Sequence, residues 1–282
     1  MMNKWSLTFI GILMVPLFGW AQFDEDESFD EDLTVDKEAA APNEVTSKST
    51  VSKDIDRSDI QKLAEAKKSR SESAILAAAA RILSKDPNHP QTLNALGLFY
   101  FEARKNGMAK ILFRRALKAH PNIAPLHNNL GIVYLSEGDT RLAVDSFKKS
   151  LQVKPGYETG AANLSSIYVR FRDYKSGLAP LEQVYEDVRS DVGRGQESAI
   201  ELANNYGVAL MGLGEQSKAR KVFAEIFGSP SKNPLPVLNY AILLVEVQKE
   251  KKDAIRVISK LKFMTEDRDI LRRVQELEKK LE

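Results

Sequence analysis

The chain has 282 residues, with 41 Lys and Arg against 39 Asp and Glu, 43% hydrophobic residues, 3 His and no Cys. That length supports one or two domains with a sizeable core. Without Cys there is no disulfide scaffold, thiolate metal site, CxxC redox pair or lipid anchor on a Cys at a signal cleavage site. The formal charge of +2 conceals a strong asymmetry along the chain.

Residues 1–21 begin with one base, Lys4, and continue as an apolar run from Leu7 to Trp20 interrupted by Thr8, Gly11, Pro16 and Gly19. The run is short for a membrane span, which needs about 20 apolar residues. Gly19 and Ala21 put small residues at the −3 and −1 places of a cleavage site. A signal peptide cut after Ala21 is therefore expected, giving a periplasmic protein with no stable membrane insertion; an uncleaved segment anchoring the chain in the inner membrane is the alternative.

From Gln22 to Arg57 twelve acids face four bases, with little but Ser, Thr and Ala between them. Such a stretch cannot bury enough apolar area to offset its ordering entropy, so residues 22–57 are expected to form a disordered acidic linker. Phe23-Asp24-Glu25-Asp26 recurs as Phe29-Asp30-Glu31-Asp32. Two aromatic residues set in acid suit docking on a basic surface with apolar dimples, and a merely solubilising leader is the other reading. Residues 58–282 hold 36 bases and 27 acids, so an acidic tail is tethered to a basic domain.

Ile60 to Leu83 has the pattern of a helix pair, residues 58–89, ending at Pro87. From there a period of 34 governs the chain. Pro87, Pro121 and Pro155 share it, as do Leu96, Leu130 and Leu164, Gly97 and Gly131, Tyr100, Tyr134 and Tyr168, Ala109 and Ala143, and Phe113 and Phe147. These anchors phase repeats at 90–123, 124–157 and 158–191, the third degenerate, with Ser165, Gly177 and Leu181 in place of Gly, Ala and Phe. An insertion at 192–199 containing Gly193-Arg194-Gly195 is followed by repeats at 200–233 and 234–267, the latter also degenerate. A charged helix at 268–282 has an apolar face of Ile270, Leu271, Val274, Leu277 and Leu281. The recurrent Pro stops the second helix of each pair. A Gly inside a helix costs roughly 1 kcal/mol relative to Ala, so one that recurs implies close approach of a neighbour, a contact expected to be served by Ala109 and Ala143.

The order Leu-Gly, Tyr, Ala, Phe, small residue, Pro resembles the tetratricopeptide repeat. The resemblance implies an all-α, right-handed superhelical solenoid of about five repeats with capping helices at both ends. It also implies a concave groove lined by first helices. Carried over by position, the lining is Leu98, Phe101 and Glu102, then Asn128, Ile132 and Leu135, then Val169 and Arg170, then Asn204, Val208 and Met211, then Leu238, Ile242 and Val245. Leu98, Ile132 and Val208 could instead pack against neighbouring helices. Asn129, Asn163, Asn205 and Asn239 share one phase, where a carboxamide can serve an extended ligand or tie helices together. Glu102, Ser136 and Glu246 stand where a carboxylate clamp would have Lys, so an amphipathic helix or extended apolar segment is the expected guest.

Arg81, Arg115 and Lys149, joined by Lys110, Arg114 and Lys148, form an expected basic outer ridge that could hold the acidic tail. His89, His120 and His127 stand in no Cys-paired or HExxH-like sequence context, and no phosphate loop or nucleophile motif occurs. A noncatalytic, cofactor-free scaffold of a bacterial envelope assembly (pilus, motility, division or outer-membrane machinery) is expected, binding a protein or peptide and no nucleic acid. The alternative is a structural subunit that self-associates through its groove or C-terminal helix.

Overall fold

The structure, a computed structural model, describes residues 55–282. The signal segment and the acidic tail, with Phe23 and Phe29, lie outside the described residues. Among those described there is no strand, and the chain divides into two compact units, residues 55–122 and 123–282.

The first unit holds two helix pairs: α1 (Arg57–Lys68) with α2 (Glu72–Lys85), and α3 (Pro90–Glu102) with α4 (Asn106–Ala119). Asp56 caps α1 by accepting from the Ser58 amide, and Ser71 caps α2 by accepting from the Ala74 amide. Pro90 opens α3, a position where its missing N–H costs nothing. Leu63, Ala66, Ile75, Ala78, Ala79 and Ile82 pack with Ala95 and Leu96 in one core.

The second unit continues with α5 (Ala124–Ser136), α6 (Thr140–Val153), α7 (Glu158–Arg170), α8 (Tyr174–Glu182), α9 (Tyr185–Arg194), α10 (Glu197–Gly212), α11 (Gln216–Gly228), α12 (Pro234–Ile242), α13 (Lys251–Met264) and α14 (Arg268–Lys279). A core running from Ala161 to Leu277 joins α7 to α14.

The recurrent Gly is filled by a ring, which corrects the expectation that Ala109 and Ala143 meet it. A Cβ on Gly131 would lie 2.6 Å from Cε1 of Phe147, and one on Gly207 2.8 Å from Cε1 of Phe223; Gly97 meets Phe113 in the same way. All three rings are fully buried. Where the small residue changes, the large one changes with it. In the third repeat the equivalent positions hold Ser165 and the shorter Leu181, both fully buried, and the Ser165 hydroxyl donates to the Gly177 carbonyl at 2.6 Å. In the fifth repeat the corresponding residues are Ala241 and Ile258, and in α1–α2 the order inverts to Leu63 and Ala79.

Each first helix from α1 onward ends on a residue in the left-handed region: Arg70, Arg104, Gly138, Arg172, Gly214 and Lys249. The chain is closed there by an amide reaching back across the turn, Lys105 to the Tyr100 carbonyl, Asp139 to Tyr134, Asp173 to Tyr168 and Glu215 to Leu210. In the fifth repeat the bond runs from Glu250 to Leu244, one residue wider. That repeat carries one more residue than the 34-residue phasing allows, and a π-helical segment at Leu243–Gln248 absorbs it.

The insertion expected at 192–199 is accommodated by an additional helix. Pro180 interrupts the backbone ladder of α8, the helix breaks at Gln183 and Val184, and the extra residues form α9. Glu186 and Asp187 in its first turn favour the restart, and Gly195, at φ 79°, ends it.

The size matching makes a specific prediction. Gly131→Ala should cost about 1–3 kcal/mol by forcing the Phe147 ring aside. Gly131→Ser combined with Phe147→Leu, copying Ser165 and Leu181, should be less destabilised than the two single variants summed. Urea denaturation of the three variants tests this, and strictly additive losses would refute the pairing.

Candidate functional site

The first helices α3, α5, α7, α10 and α12 carry the residues expected to line a groove, except Val245, which lies in the π-helical segment that follows α12, and burial divides them. Leu98 and Phe101 in the first unit are half-buried, as are Ile132, Leu135, Asn163 and Met211 in the second, while Glu102 and Arg170 are exposed. Asn128, Asn129, Val169, Asn204, Asn205, Val208, Leu238, Asn239, Ile242 and Val245 are buried and present no surface to a guest. For Asn128, Val169, Asn204, Leu238, Ile242 and Val245 this burial departs from the expected groove position, and for Asn129, Asn205, Val208 and Asn239 it agrees with the packing alternative.

The asparagines are buried because they join successive repeats. Asn163 Nδ2 donates to Asn128 Oδ1 at 2.9 Å, and Asn239 Nδ2 donates to Asn204 Oδ1 at 2.8 Å. At the step between them Ala162 replaces the acceptor side chain, and Asn205 Nδ2 reaches its carbonyl at 3.4 Å. Each bond links one first helix to the next, so this phase serves helix packing.

The aliphatic residues of the last repeat are buried for another reason. Leu238, Ile242 and Val245 share a core with Ile270, Val274 and Leu277 of α14. Glu246 pins that helix, accepting from Arg273 Nη2 at 2.9 Å and from Lys280, and Lys262 adds a 3.0 Å ion pair to Glu278. The Glu246 carboxylate, read in sequence as a departure from a Lys clamp, is the anchor of the terminal helix. The accessible part of the inner row in the second unit is thus Ile132 and Leu135 on α5, Arg170 on α7 and Met211 on α10.

The six basic residues expected on an outer ridge divide between the units. Arg81 on α2 and Arg114 and Arg115 on α4 are exposed, with Lys110 half-buried; Arg115 Nε donates to Asn88 Oδ1 at 3.2 Å. Lys148 and Lys149 are exposed on α6, with Lys148 Nζ 5.9 Å from the Tyr168 ring centre. The net charge divides too. Residues 57–122 carry thirteen bases and five acids, whereas residues 123–282 carry 24 bases and 22 acids. Many of the latter are paired, Arg220 with Glu250 and Asp253 and Arg189 with Glu186 and Glu225 among them.

A shallow cavity of about 330 Å³ is lined by Arg189, Gly193, Ala224, Glu225, Gly228 and Ser229. Tyr185 Oη donates to Glu225 at 2.9 Å, and burial together with that bond holds the phenol above its ordinary range. The group is locked into a structural contact. Among the described residues no cluster of His, Asp and Glu is disposed to hold a metal, and no helix is long and apolar enough to cross a membrane.

His89 has a structural task that its position at a turn did not disclose. Its Nδ1 accepts from the Thr92 amide at 3.4 Å and lies 2.8 Å from the Thr92 hydroxyl, capping α3. Burial, opposed by Asp86 and aided by His120, holds the imidazole below its ordinary value. A depressed imidazole pKa means that the unfolded chain binds the proton more tightly. Stability is therefore complete above about pH 6.5 and declines as the pH falls toward the folded value. Acidification from pH 7.5 to 5 should lower the protection factors of the amides in the first turn of α3, each rate being referred to the intrinsic exchange rate at its own pH, toward the loss of about 1 kcal/mol that a cap is usually worth. His89→Asn should abolish that pH dependence.

Comparison with known proteins agrees with this geometry. Residues 124–157 match the family described as tetratricopeptide repeat. No curated protein matches the sequence. Among solved structures the chain is similar to YrrB, a tetratricopeptide-repeat protein with an unusual peptide-binding site, at 16% identity and a TM-score of 0.57, over 71% of this chain and 98% of that one. It is also similar to MamA from Desulfovibrio magneticus RS-1, at 15% identity and a TM-score of 0.52, over 62% of this chain and 94% of that one. The chain thus has the tetratricopeptide-repeat fold, with residues 124–157 matching that family's model.

Proposed function

We propose that the chain is a noncatalytic scaffold that holds a protein or peptide segment on the accessible part of its inner row and serves an assembly of the bacterial envelope. The observation that carries this reading is the half-buried aliphatic pair Ile132 and Leu135, which keeps a partial exposure on α5 while the corresponding residues of the last repeat are buried in a core shared with α14. A guest with alternating apolar anchors, an amphipathic helix or an extended strand, suits such a row. Arg170 nearby in the row favours an acidic group on that guest. The peptide-binding site of YrrB, on a similar fold, lends support.

The envelope location rests on the first 21 residues. The apolar run and the small residues at 19 and 21 fit export and cleavage, with an inner-membrane anchor as the other outcome. Amino-terminal sequencing of the protein from its native cells should find Gln22 first. The self-associating subunit is the weaker reading, since the apolar face of α14 is already buried in its own core. A concentration-independent monomer in sedimentation at micromolar levels would remove it.

Crosslinked capture from the native envelope, followed by a binding assay with the captured partner, tests the groove. Ile132→Ala with Leu135→Ala should leave helicity unchanged and weaken binding at least about tenfold, equivalent to about 1.4 kcal/mol. An unchanged affinity, or a matching loss of helicity, would overturn the assignment.

A further inference from the structure

The positive charge of the first unit has no role in the groove, and neither does a pair of exposed apolar side chains on α4. Met108 is 44% exposed and Ile111 is 61% exposed. They lie three residues apart, on one face of the helix. The same face continues as Arg115 and Lys118 after Ile111, spaced four and three residues apart, and Arg104 stands in the turn that precedes the helix. The face carries a small exposed apolar patch with bases near both of its ends, in a unit whose net charge over residues 55–122 is +7. An isolated apolar pair of this kind would be unremarked on a neutral surface, but here it is framed by like charges that repel one another. A ligand of opposite charge with an aromatic or aliphatic anchor relieves both features at once.

We propose that this face of α4 is the docking site of the chain's own segment 23–32. The segment carries seven acids, no base and two phenylalanines, Phe23 and Phe29. One ring covers Met108 and Ile111 while the flanking carboxylates meet Arg104, Arg115 and Lys118. The duplicated Phe-Asp-Glu-Asp supplies two alternative registers for the same patch. Residues 33–54 lie between the segment and the first described helix, and a flexible spacer of that length has an r.m.s. reach of roughly 23–28 Å. A compact unit the size of residues 55–122 has a radius of gyration of about 11 Å, so α4 is within reach of a chain that enters at α1. Tethering holds the segment near millimolar effective concentration, enough to populate a contact that would be weak between separate molecules. The proposal is independent of the groove reading, because it concerns the outer face of a helix in the other unit.

The absence of Cys makes the test direct. A nitroxide on Ala119→Cys, at the exposed end of α4, is compared with one on Ser259→Cys, exposed on α13. The full exported chain is isotope-labelled, and the backbone amide signals of residues 23–32 are followed. The label at 119 should remove at least about half of their intensity at low salt, and the label at 259 should leave them intact. The lost intensity should return in about 0.5 M NaCl, where charges are screened beyond a few Å. It should also return in Phe23→Ala with Phe29→Ala, and in Met108→Ser with Ile111→Ser, whose helicity is checked in parallel. Equal signals under both labels would overturn the proposal. So would a loss that survives salt and both pairs of substitutions, or one that appears only when the nitroxide and the isotope are on different molecules, which would assign the face to a second copy.

Discussion

Two helices can approach closely only where one of them leaves room, and in this chain that room is made to measure. Gly97, Gly131 and Gly207 each accept a phenylalanine ring at a distance that a Cβ would obstruct. The ring is fully buried because the glycine leaves it a place, and the glycine is tolerated in a helix because the ring fills the space it leaves. Ser165 with Leu181 and Ala241 with Ile258 divide similar space differently. The angle and spacing of each pair follow from that contact, and the stacking of pairs, the asparagine bonds and the exposed remainder of the inner row are built on it.

Much of the fold was legible because its punctuation is chemical. Pro121 and Pro155 stop helices for reasons that depend on no neighbour, and a glycine repeated at a helical phase demands a partner. What the sequence could not say was which atoms the partner would use. Phe147 and Ala143 both recur with the glycine, and only the packed helices show the ring at Gly131. The same limit applies to Gly193-Arg194-Gly195. Neither glycine is marked out in the sequence, yet Gly193 lies within α9 and only Gly195 adopts the left-handed backbone that ends a helix. The extra residue of the fifth repeat is hard to see because Tyr240 and Leu244 keep the 34-residue spacing from Tyr206 and Leu210, and only Ala254, 35 residues after Ala219, departs from it.

The candidate site was less legible. Repeat phase places a side chain on a face of its own helix, but the next helix decides whether that face stays open. Ile132 and Ile242 occupy equivalent places, and one is half-buried while the other is covered in a core shared with Ile270, Val274 and Leu277. Asn128 and Asn204 fall in the groove row by resemblance and Asn163 and Asn239 could serve a ligand by their carboxamides, but each of these carboxamides has another one repeat away as its partner. Glu246 shows the converse. Its mismatch with a clamp was visible, while its bond to Arg273, which explains the mismatch, joins residues that no local pattern connects.

Because every ring meets its glycine inside one hairpin, the hairpin is the smallest piece of this protein that can be copied, lost or transplanted intact. A recombination boundary between α5 and α6 could set Gly131 opposite a leucine and leave a void, or set Ser165 opposite a phenylalanine and leave no room. Boundaries at the proline-bearing connections separate no such pair. The lineage of the chain is therefore expected to have lengthened and shortened in whole hairpins, with its residue-by-residue drift constrained to paired exchanges of volume.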